Sequence, residues 1–475
     1  MKTLRTASLI SFIACLTLSI SSCNQTTQTP QLAGLKIEFN NNTGLPDSNV
    51  YLTVQNPKLG YHSFYMTYVK KGKGDTTFVN FDDPTDLMST SIALSDIDQS
   101  SIYVDSVISG IFFVSYGNKL TSKKSAPSYI GKGEKDYYTP FQNFELTRVG
   151  NPGDQGDMTA INFFTAPMAI TSYSKTGDTL QSKEYNLSVD AIRDQLTALT
   201  NNNPNAVILS KDSTTYIRII GPSSYSKGQT NPYPSFVSYL NSIQSAKDTT
   251  IIKNHNAFVD TAKKPSNYDF RLNFKATVNS TSIFLTGKIE VYKTLFGKSP
   301  ALDTTFDHIS LTINSPADST SLLDLVIYGQ SIADNVTFSP TWNNISNYMD
   351  SVNLSNPKAY SITKNLAVGE ITTGILLGLI NSDSLSPSGD TLKNIASQDW
   401  WTMNPMKAFS DVQNNPSYYN QYANVIYKAS NNQVYSIPYS DRLGNGPLVN
   451  SVNFNGTPVS KWVIRLDPPL GAVNK

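Results

Sequence analysis

One segment with two neighbouring predicted strands, the first of which carries Glu145, is the strongest candidate for chemistry in this chain. Glu145 belongs to a Phe-Glu-Leu-Thr run that ends at Thr147, and Asp157 begins a second run after a glycine-rich turn. Because side chains alternate along a strand, Glu145 and Thr147 are expected to face the same way. A glutamate among aromatic residues can have a raised pKa and donate a proton. The segment therefore favours acid–base chemistry carried by carboxylates.

Other kinds of catalysis lack the residue patterns that they need. The three histidines are scattered, and neither H-x-x-x-H nor C-x-x-C spacing occurs, so we predict no metal site and no cofactor. No G-x-S-x-G elbow or phosphate-binding G-x-x-x-x-G-K-[ST] run is present, although three histidines leave a Ser-His-Asp triad open. A formal net charge of +1 gives no electrostatic reason to expect a nucleic-acid partner.

The start of the chain has the features of a targeting segment. Residues 1–22 contain a basic start and a short apolar stretch, and Cys23 follows where that stretch ends. This is the pattern of a bacterial lipoprotein signal that is cleaved before Cys23, with an ordinary secretory signal as the alternative. The second cysteine, Cys15, leaves with the signal, so the mature protein has no free thiol. We expect a lipid on Cys23 that anchors the protein in the bacterial cell envelope, at the outer membrane, facing the periplasm or the exterior.

Strands must position the two carboxylates. Short runs of β-branched and aromatic residues between turn residues predict a sandwich or barrel, with Ser109-Gly110 as a hairpin turn and residues 144–147 and 160–164 as a further pair of strands. Ser188 is a predicted N-cap, and helical spacing follows it and recurs after Phe236 and Ile371. The predicted fold is mainly β with α+β. Its predicted segments are a signal peptide at 1–22, a lipidated cysteine and flexible tether at 23–34, a β-sandwich or barrel domain at 35–185 with 430–470, and a mixed α/β domain at 186–429.

The segment around Glu145 resembles a known pair of active-site strands. Residues 157–168 read Asp-Met-Thr-Ala-Ile-Asn-Phe-Phe-Thr-Ala-Pro-Met. Glycoside hydrolase family 64, the thaumatin-like endo-β-1,3-glucanases, pairs an E-[FL]-T strand with N-x-T-x-V-D-F-F-G-[LI]-P-L. Further stretches similar to that family follow its order, at 40–52, 111–117 and 419–441. The resemblance spans about residues 35–467.

The resemblance implies a thaumatin-like β-domain and a mixed α/β domain that flank a wide groove for β-1,3-glucan. It also implies inverting, endo-acting hydrolysis, in which an acid protonates the glycosidic oxygen and a carboxylate about 6.5–9.5 Å away activates water. The family's acid falls on Glu145 and its base falls on Asn162. Thr147 and Thr159 fall on positions that line the groove. The aromatic candidates for stacking on a sugar are Tyr439, Trp400 and Trp401, with burial in the core as the alternative.

Asn162 is the departure from the family pattern. An amide cannot usefully take a proton from water near pH 7, and losing a general base costs about 10²–10⁴-fold in rate. Asp157 and Asp441 are the candidate substitute bases. Asp157 differs in parity from Asn162, so its use requires an irregular strand.

Three functions therefore stay open. The first is a hydrolase of β-1,3-glucan or a related polysaccharide. The second is a glucan-binding lipoprotein without turnover, and the third is a structural lipoprotein on the same fold. In each case we expect a monomer that is attached to the membrane through Cys23.

Overall fold

The computed structural model describes most of the chain between residue 34 and residue 472. The described ranges are 34–55, 65–225, 229–246, 250–260, 266–295, 297–315, 323–329, 335–354, 357–403, 406–438 and 446–472. Strands take 38% of the chain and helices 22%, so the fold is mainly β, as predicted. Among the helices in these ranges, none combines the length and the hydropathy that a bilayer crossing needs.

Strands and helices alternate unevenly along the chain. The strands are β1 (Leu35–Asn41), β2 (Val50–Gln55), β3 (Tyr65–Lys70), β4 (Thr76–Phe78), β5 (Ile92–Ala93), β6 (Ile97–Tyr116), β7 (Phe141–Arg148), β8 (Gln155–Met158), β9 (Phe163–Phe164), β10 (Met168–Tyr173), β11 (Thr179–Glu184), β12 (Val207–Leu209), β13 (Tyr216–Ile220), β14 (Thr250–Asp260), β15 (Ser266–Val278), β16 (Ser282–Leu295), β17 (Ala301–Asn314), β18 (Val336–Phe338), β19 (Val449–Asn450), β20 (Asn453–Phe454), β21 (Thr457–Pro458) and β22 (Lys461–Leu466). The α-helices are α1 (Val189–Leu199), α2 (Val237–Ala246), α3 (Leu323–Tyr328), α4 (Trp342–Ser351), α5 (Pro357–Leu376), α6 (Ser397–Trp400) and α7 (Gln421–Ser430).

The large sheet combines strands from the early and the late parts of the described chain. Its path runs β11-β10-β22-β1-β6-β7-β8-β19, and β2 to β5 attach to it through β6. The late strand β22 lies parallel to β1 and antiparallel to β10. At the two ends of the path, the Asn450 N–H donates to Gln181 Oε1 at 2.9 Å, and Lys183 Nζ donates to the Gly446 carbonyl at 2.7 Å. The sheet is therefore a nearly closed barrel.

The structure corrects the hairpin that the sequence predicts at Ser109-Gly110. β6 runs unbroken through this point, and its register against β7 shifts between Val107 and Gly110. Ser109 has a φ of 48°, and its N–H donates to Thr147 Oγ1 at 2.9 Å. These features define a β-bulge, which bends a strand and increases its twist without reversing the chain.

The inner face of the large sheet is apolar. The rings of Phe112 and Phe144 are fully buried and stack with their centroids 4.8 Å apart. Leu52 and Leu146 are buried on the same side. Each such side chain stabilises the fold by about 1.5–3 kcal/mol through burial. Residues that alternate with them, including Glu145, face the other side.

Three smaller sheets complete the described part of the fold, one of which is the two-stranded pair β20-β21. β14 to β18 form a five-stranded antiparallel sheet, and β15 buries every second residue from Ser266 to Val278. The buried side packs against α2 and α5, as expected for a sheet with one face in the core. The third sheet has the order β12-β13-β9. The sequence predicts a pair between residues 144–147 and 160–164, but β7 pairs with β8, and β9 pairs with β13.

A buried cation connects β13 to the segment that precedes β7. Arg218 is fully buried, and its guanidinium carbon lies 4.3 Å from the ring centroid of Phe141. The guanidinium donates to the carbonyl oxygens of Tyr137 at 3.0 Å and Thr139 at 2.6 Å. Burial lowers the pKa of Arg218 to about 9, so the group stays charged at neutral pH. The contacts hold the start of β7 against the third sheet.

Replacing Arg218 by methionine should destabilise the protein strongly. We expect the free energy of unfolding to fall by about 2–4 kcal/mol, because the carbonyls of Tyr137 and Thr139 lose a buried donor and Phe141 loses a cation–π contact. Urea unfolding measures the change. Arg193→Met is the control, since Arg193 pairs with acidic neighbours on its own helix and should cost less than about 1 kcal/mol. Equal losses in the two variants would contradict the role of Arg218.

Candidate active site

Glu145 and Asp157 lie directly opposite each other in the large sheet. The antiparallel register of β7 and β8 places Phe144 opposite Met158, Glu145 opposite Asp157, and Leu146 opposite Gly156. Directly opposed residues in such a pair share one face and have Cβ atoms about 4.5–5.5 Å apart. Both side chains are half-buried. The two carboxyl groups are therefore neighbours on the face of the sheet that is turned away from the apolar core.

The irregularity that the use of Asp157 requires is present. β8 ends at Met158, and residues 161–162 form a bend before β9 begins. The chain between Asp157 and Asn162 is therefore not one regular strand, and parity counted across the bend does not tell which face a side chain takes. Asp157 shares the face of Glu145 even though its parity differs from that of Asn162.

Gly156 sets the spacing between the two strands. A Cβ at this position would lie 2.0 Å from the carbonyl oxygen of Glu145. No side chain fits there unless β8 moves away from β7. The glycine thus allows the close approach that brings Asp157 beside Glu145.

Burial raises the pKa of Glu145 above its ordinary value. On β6 its directly opposed neighbour is Ile111, so one flank of the carboxyl group is apolar and the other carries Asp157. Desolvation penalises the charged form of a carboxyl group. Glu145 therefore stays protonated to a higher pH than an exposed glutamate, which is the state that a general acid needs.

Thr147 and Thr159 are half-buried and lie near the carboxylate pair. The Thr147 hydroxyl accepts the N–H of Ser109 at the bulge. Thr159 forms a parallel bridge with Tyr435, which attaches a later part of the chain beside β8. Both threonines thus stabilise the surroundings of the pair in addition to any contact with a ligand.

Asn162 lies on a bend that is held by residues after β13. Its backbone carbonyl accepts the Ser224 hydroxyl at 2.6 Å, and its side-chain oxygen accepts the Ser223 hydroxyl at 3.3 Å. The next residue, Phe163, packs its ring on Phe141 at 5.2 Å between centroids.

Asn162 is not opposite Glu145 in the sheet. Phe141, whose ring packs on the ring of Phe163, faces the same side of β7 as Glu145. The two residues are four positions apart, which is about 14 Å along the strand. The ring of Phe163 therefore packs on this side of the sheet, but the direct cross-strand neighbour of Glu145 is Asp157.

A buried amide that the sequence reasoning missed holds the segment containing Asn162. Gln142 is 3% exposed. Its Nε2 donates to the Thr159 carbonyl at 2.9 Å, and its Oε1 accepts the Thr165 N–H at 2.9 Å. One side chain thus joins both ends of the bend. A glutamine inside the aromatic Phe-Gln-Asn-Phe run was the available signal, as the lone arginine in Tyr-Ile-Arg-Ile-Ile was for Arg218.

The remaining predicted positions are distributed differently. Cys23, Tyr439 and Asp441 lie outside the described residues. Trp400 is buried against α5, where a Cβ on Gly374 would lie 2.5 Å from its ring, so it is a core residue. Within the described ranges, no group of three or more His, Cys, Asp or Glu side chains could hold a metal ion.

Two solved β-1,3-glucanases are similar in structure to this chain. A laminaripentaose-producing β-1,3-glucanase in complex with laminaritetraose has a TM-score of 0.50 at 14% identity, over 91% of this chain and 98% of that chain. A β-1,3-glucanase domain (GH64) from Clostridium beijerinckii has a TM-score of 0.49 at 13% identity, over 92% and 100%. No family model and no curated protein matches the sequence. The similarity to the first of these structures shows the fold. The chemistry has to be argued from the residues of this chain.

The raised pKa of Glu145 predicts a pH-dependent stability. Folding favours the protonated group, so its contribution is fully present below the ordinary pKa of 4.5 and is lost as the pH rises through the folded-state pKa. Glu145→Gln cannot ionise. We expect the stability of this variant, relative to the natural protein, to increase in urea unfolding as the pH rises from the ordinary pKa of 4.5 through the folded-state pKa. The exposed Glu134→Gln should show no such trend, and a flat difference for Glu145→Gln would refute the prediction.

Proposed function

We propose that this protein is a lipid-anchored glycoside hydrolase directed at β-1,3-glucan, which cleaves within the glucan chain with inversion. The observation that carries the proposal is the opposed pair Glu145 and Asp157 on the half-exposed face of the sheet. The fold supports it, because a β-1,3-glucanase with a similar fold was crystallised with laminaritetraose. Neither feature would be sufficient alone, since one fold can carry unrelated functions.

In the proposed reaction Glu145 is the general acid. It gives its proton to the glycosidic oxygen while the bond from that oxygen to the anomeric carbon breaks. Asp157 is the general base, which takes a proton from the water that attacks the anomeric carbon from the other side. One bond breaks and one forms, and the two carboxyl groups exchange their protonation states. The raised pKa of Glu145 supports this division of roles.

Asp157 fits the role of base better than Asn162. Inverting enzymes hold their carboxyl groups about 6.5–9.5 Å apart, whereas retaining enzymes hold them about 5–5.5 Å apart. Cβ atoms about 4.5–5.5 Å apart allow the inverting distance when the two side chains diverge, because each carboxyl group extends beyond its Cβ. In this scheme Asn162 orients water through its amide, and Asp441 is the alternative base. Thr147, Thr159 and Tyr439 contact the glucan.

A second candidate is a lipoprotein that binds glucan without cleaving it. The observation that favours it is the amide of Asn162 at the position where family 64 enzymes carry their base. A groove can keep its affinity for a saccharide after the base is lost, since binding and proton transfer use different groups.

Laminarin hydrolysis tests the two carboxylates. The mature protein should release oligosaccharides, and the first product should carry the inverted, α anomeric configuration by NMR. Glu145→Gln and Asp157→Asn should each lower the rate by about 10²–10⁴-fold, because each removes a proton-transfer group. Glu134→Gln and Asp307→Asn, which change exposed carboxylates elsewhere, should leave the rate unchanged.

The outcomes separate the proposals. Full activity in Asp157→Asn would eliminate it as the base, and a gain on adding Asn162→Asp would place the base at that position instead. Binding of laminaritetraose without any product, in the natural protein, would support the second candidate and exclude the first.

The lipid anchor is proposed from the position of Cys23 at the end of the apolar stretch. Expressed in a bacterium, the full chain should sediment with the membranes, whereas Cys23→Ser should be released because no acyl chain can be attached. Cys15→Ser is a matched control, since that cysteine lies within the signal peptide and should not change the fractionation. Membrane attachment of Cys23→Ser equal to that of the natural chain would refute the anchor.

A further inference from the structure

A cavity of about 670 Å³ lies apart from the carboxylate pair. One wall comes from the segment before β7, with Lys132 and Tyr138, and the other from the β12–β13 hairpin, with Asn205 and Lys211. Its volume falls in the range of about 300–1,000 Å³ that is usual for sites of small molecules. The comparisons and the proposed reaction give this cavity no role.

The charged groups that line the cavity are positive. Lys132 and Lys211 contribute two cations, and the described residues that line the cavity include no aspartate or glutamate. Lys211 Nζ lies 5.6 Å from the ring centroid of Tyr138, so its charge is located at the wall. Asp212 is the next residue, and hydrogen bonds from Ser210 and Thr214 lower the pKa of its carboxyl group. One negative charge therefore lies in the hairpin turn beside Lys211, outside the cavity lining.

The buried guanidinium of Arg218 adds to this positive potential. It lies behind the wall, since it donates to the carbonyl of Tyr137, which itself lines the cavity. Its hydrogen-bond acceptors at Tyr137 and Thr139 are neutral carbonyls. The buried carboxylate of Asp136 interacts electrostatically with this guanidinium, so only part of the charge of Arg218 acts at the cavity wall.

The aromatic part of the lining suits a sugar. Tyr137, Tyr138 and Tyr225 line the cavity, and such rings offer flat apolar faces with a polar tip. The Tyr225 hydroxyl donates to the Asn205 carbonyl at 2.8 Å, which fixes the orientation of that ring. A saccharide ring has the matching combination of an apolar C–H face and a hydroxyl edge.

The cavity is continuous with the segment that holds Asn162. Tyr225 directly follows Ser224, whose hydroxyl donates to the Asn162 carbonyl. The backbone that supports the candidate active site therefore also forms part of the cavity wall.

We propose that this cavity binds an anionic saccharide unit, a sugar that carries a carboxylate or a sulfate group. The inference deepens the proposed function, on which it rests for the polymer type, by assigning a charge to the natural polysaccharide. Binding at the cavity does not require hydrolysis, so the two proposals can fail separately.

Titration calorimetry in about 0.15 M salt tests the proposal with three probes: untreated laminarin, laminarin oxidised to carboxylates at C6, and sulfated laminarin. The protein carries Glu145→Gln so that no probe is cleaved. We expect at least one anionic probe to bind about tenfold more tightly than untreated laminarin, because charge-assisted hydrogen bonds form at the cavity. The stronger of the two identifies the substituent as carboxylate or sulfate.

A charge-matched pair of double variants locates the binding. Lys132→Met with Lys211→Met should remove the preference for the anionic probe. Lys175→Met with Lys298→Met, which lowers the net charge equally at exposed positions outside the cavity, should keep it. Equal affinity for neutral and anionic laminarin would overturn the proposal. So would an unchanged preference in the cavity variant, or binding of polyglutamate as tight as that of the anionic laminarin.

Discussion

The buried guanidinium of Arg218 is the interaction on which the candidate site depends. It lies over the rings of both Phe141 and Phe163, at 4.3 and 5.6 Å from their centroids. Phe141 begins the strand that carries Glu145, and Phe163 follows Asn162. Taking a cation out of water is costly, and here the cost is offset by carbonyl acceptors and aromatic faces. A single charge therefore orders the two chain segments that the site requires.

The geometry of the sheet then determines the chemistry. The register of β7 and β8 makes Glu145 and Asp157 direct neighbours, and Gly156 permits their strands to approach. Ile111 borders Glu145 on the other side, next to the bulge at Ser109. Two carboxyl groups in different surroundings favour different protonation states. Burial raises the pKa of Glu145, and the proposed acid–base role rests on this carboxyl group and its neighbour and not on the fold.

A similar fold does not imply a similar site in this protein. The chain spans nearly the whole of a β-1,3-glucanase with a related structure at only 14% identity, and folds of this kind keep their architecture while side chains change. The cation-lined cavity beside the Asn162 segment is an example of a local feature that is not implied by the shared architecture. The proposed preference for an anionic saccharide rests on side chains such as Lys211, which the backbone positions but does not specify.

Local patterns in the sequence were sufficient to predict part of the fold and of the candidate site. Short runs of β-branched and aromatic residues between turn residues identified a mainly β chain. Ser188 was predicted as an N-cap, and it accepts the Ala191 N–H at the start of α1. Glu145 could be singled out because its surroundings in the sequence are aromatic. The tertiary structure alone decided that Ser109 bulges instead of turning, that β9 pairs with β13, and that Asp157 lies opposite Glu145. These outcomes depend on register and on contacts between residues far apart in the chain, which local propensity does not encode.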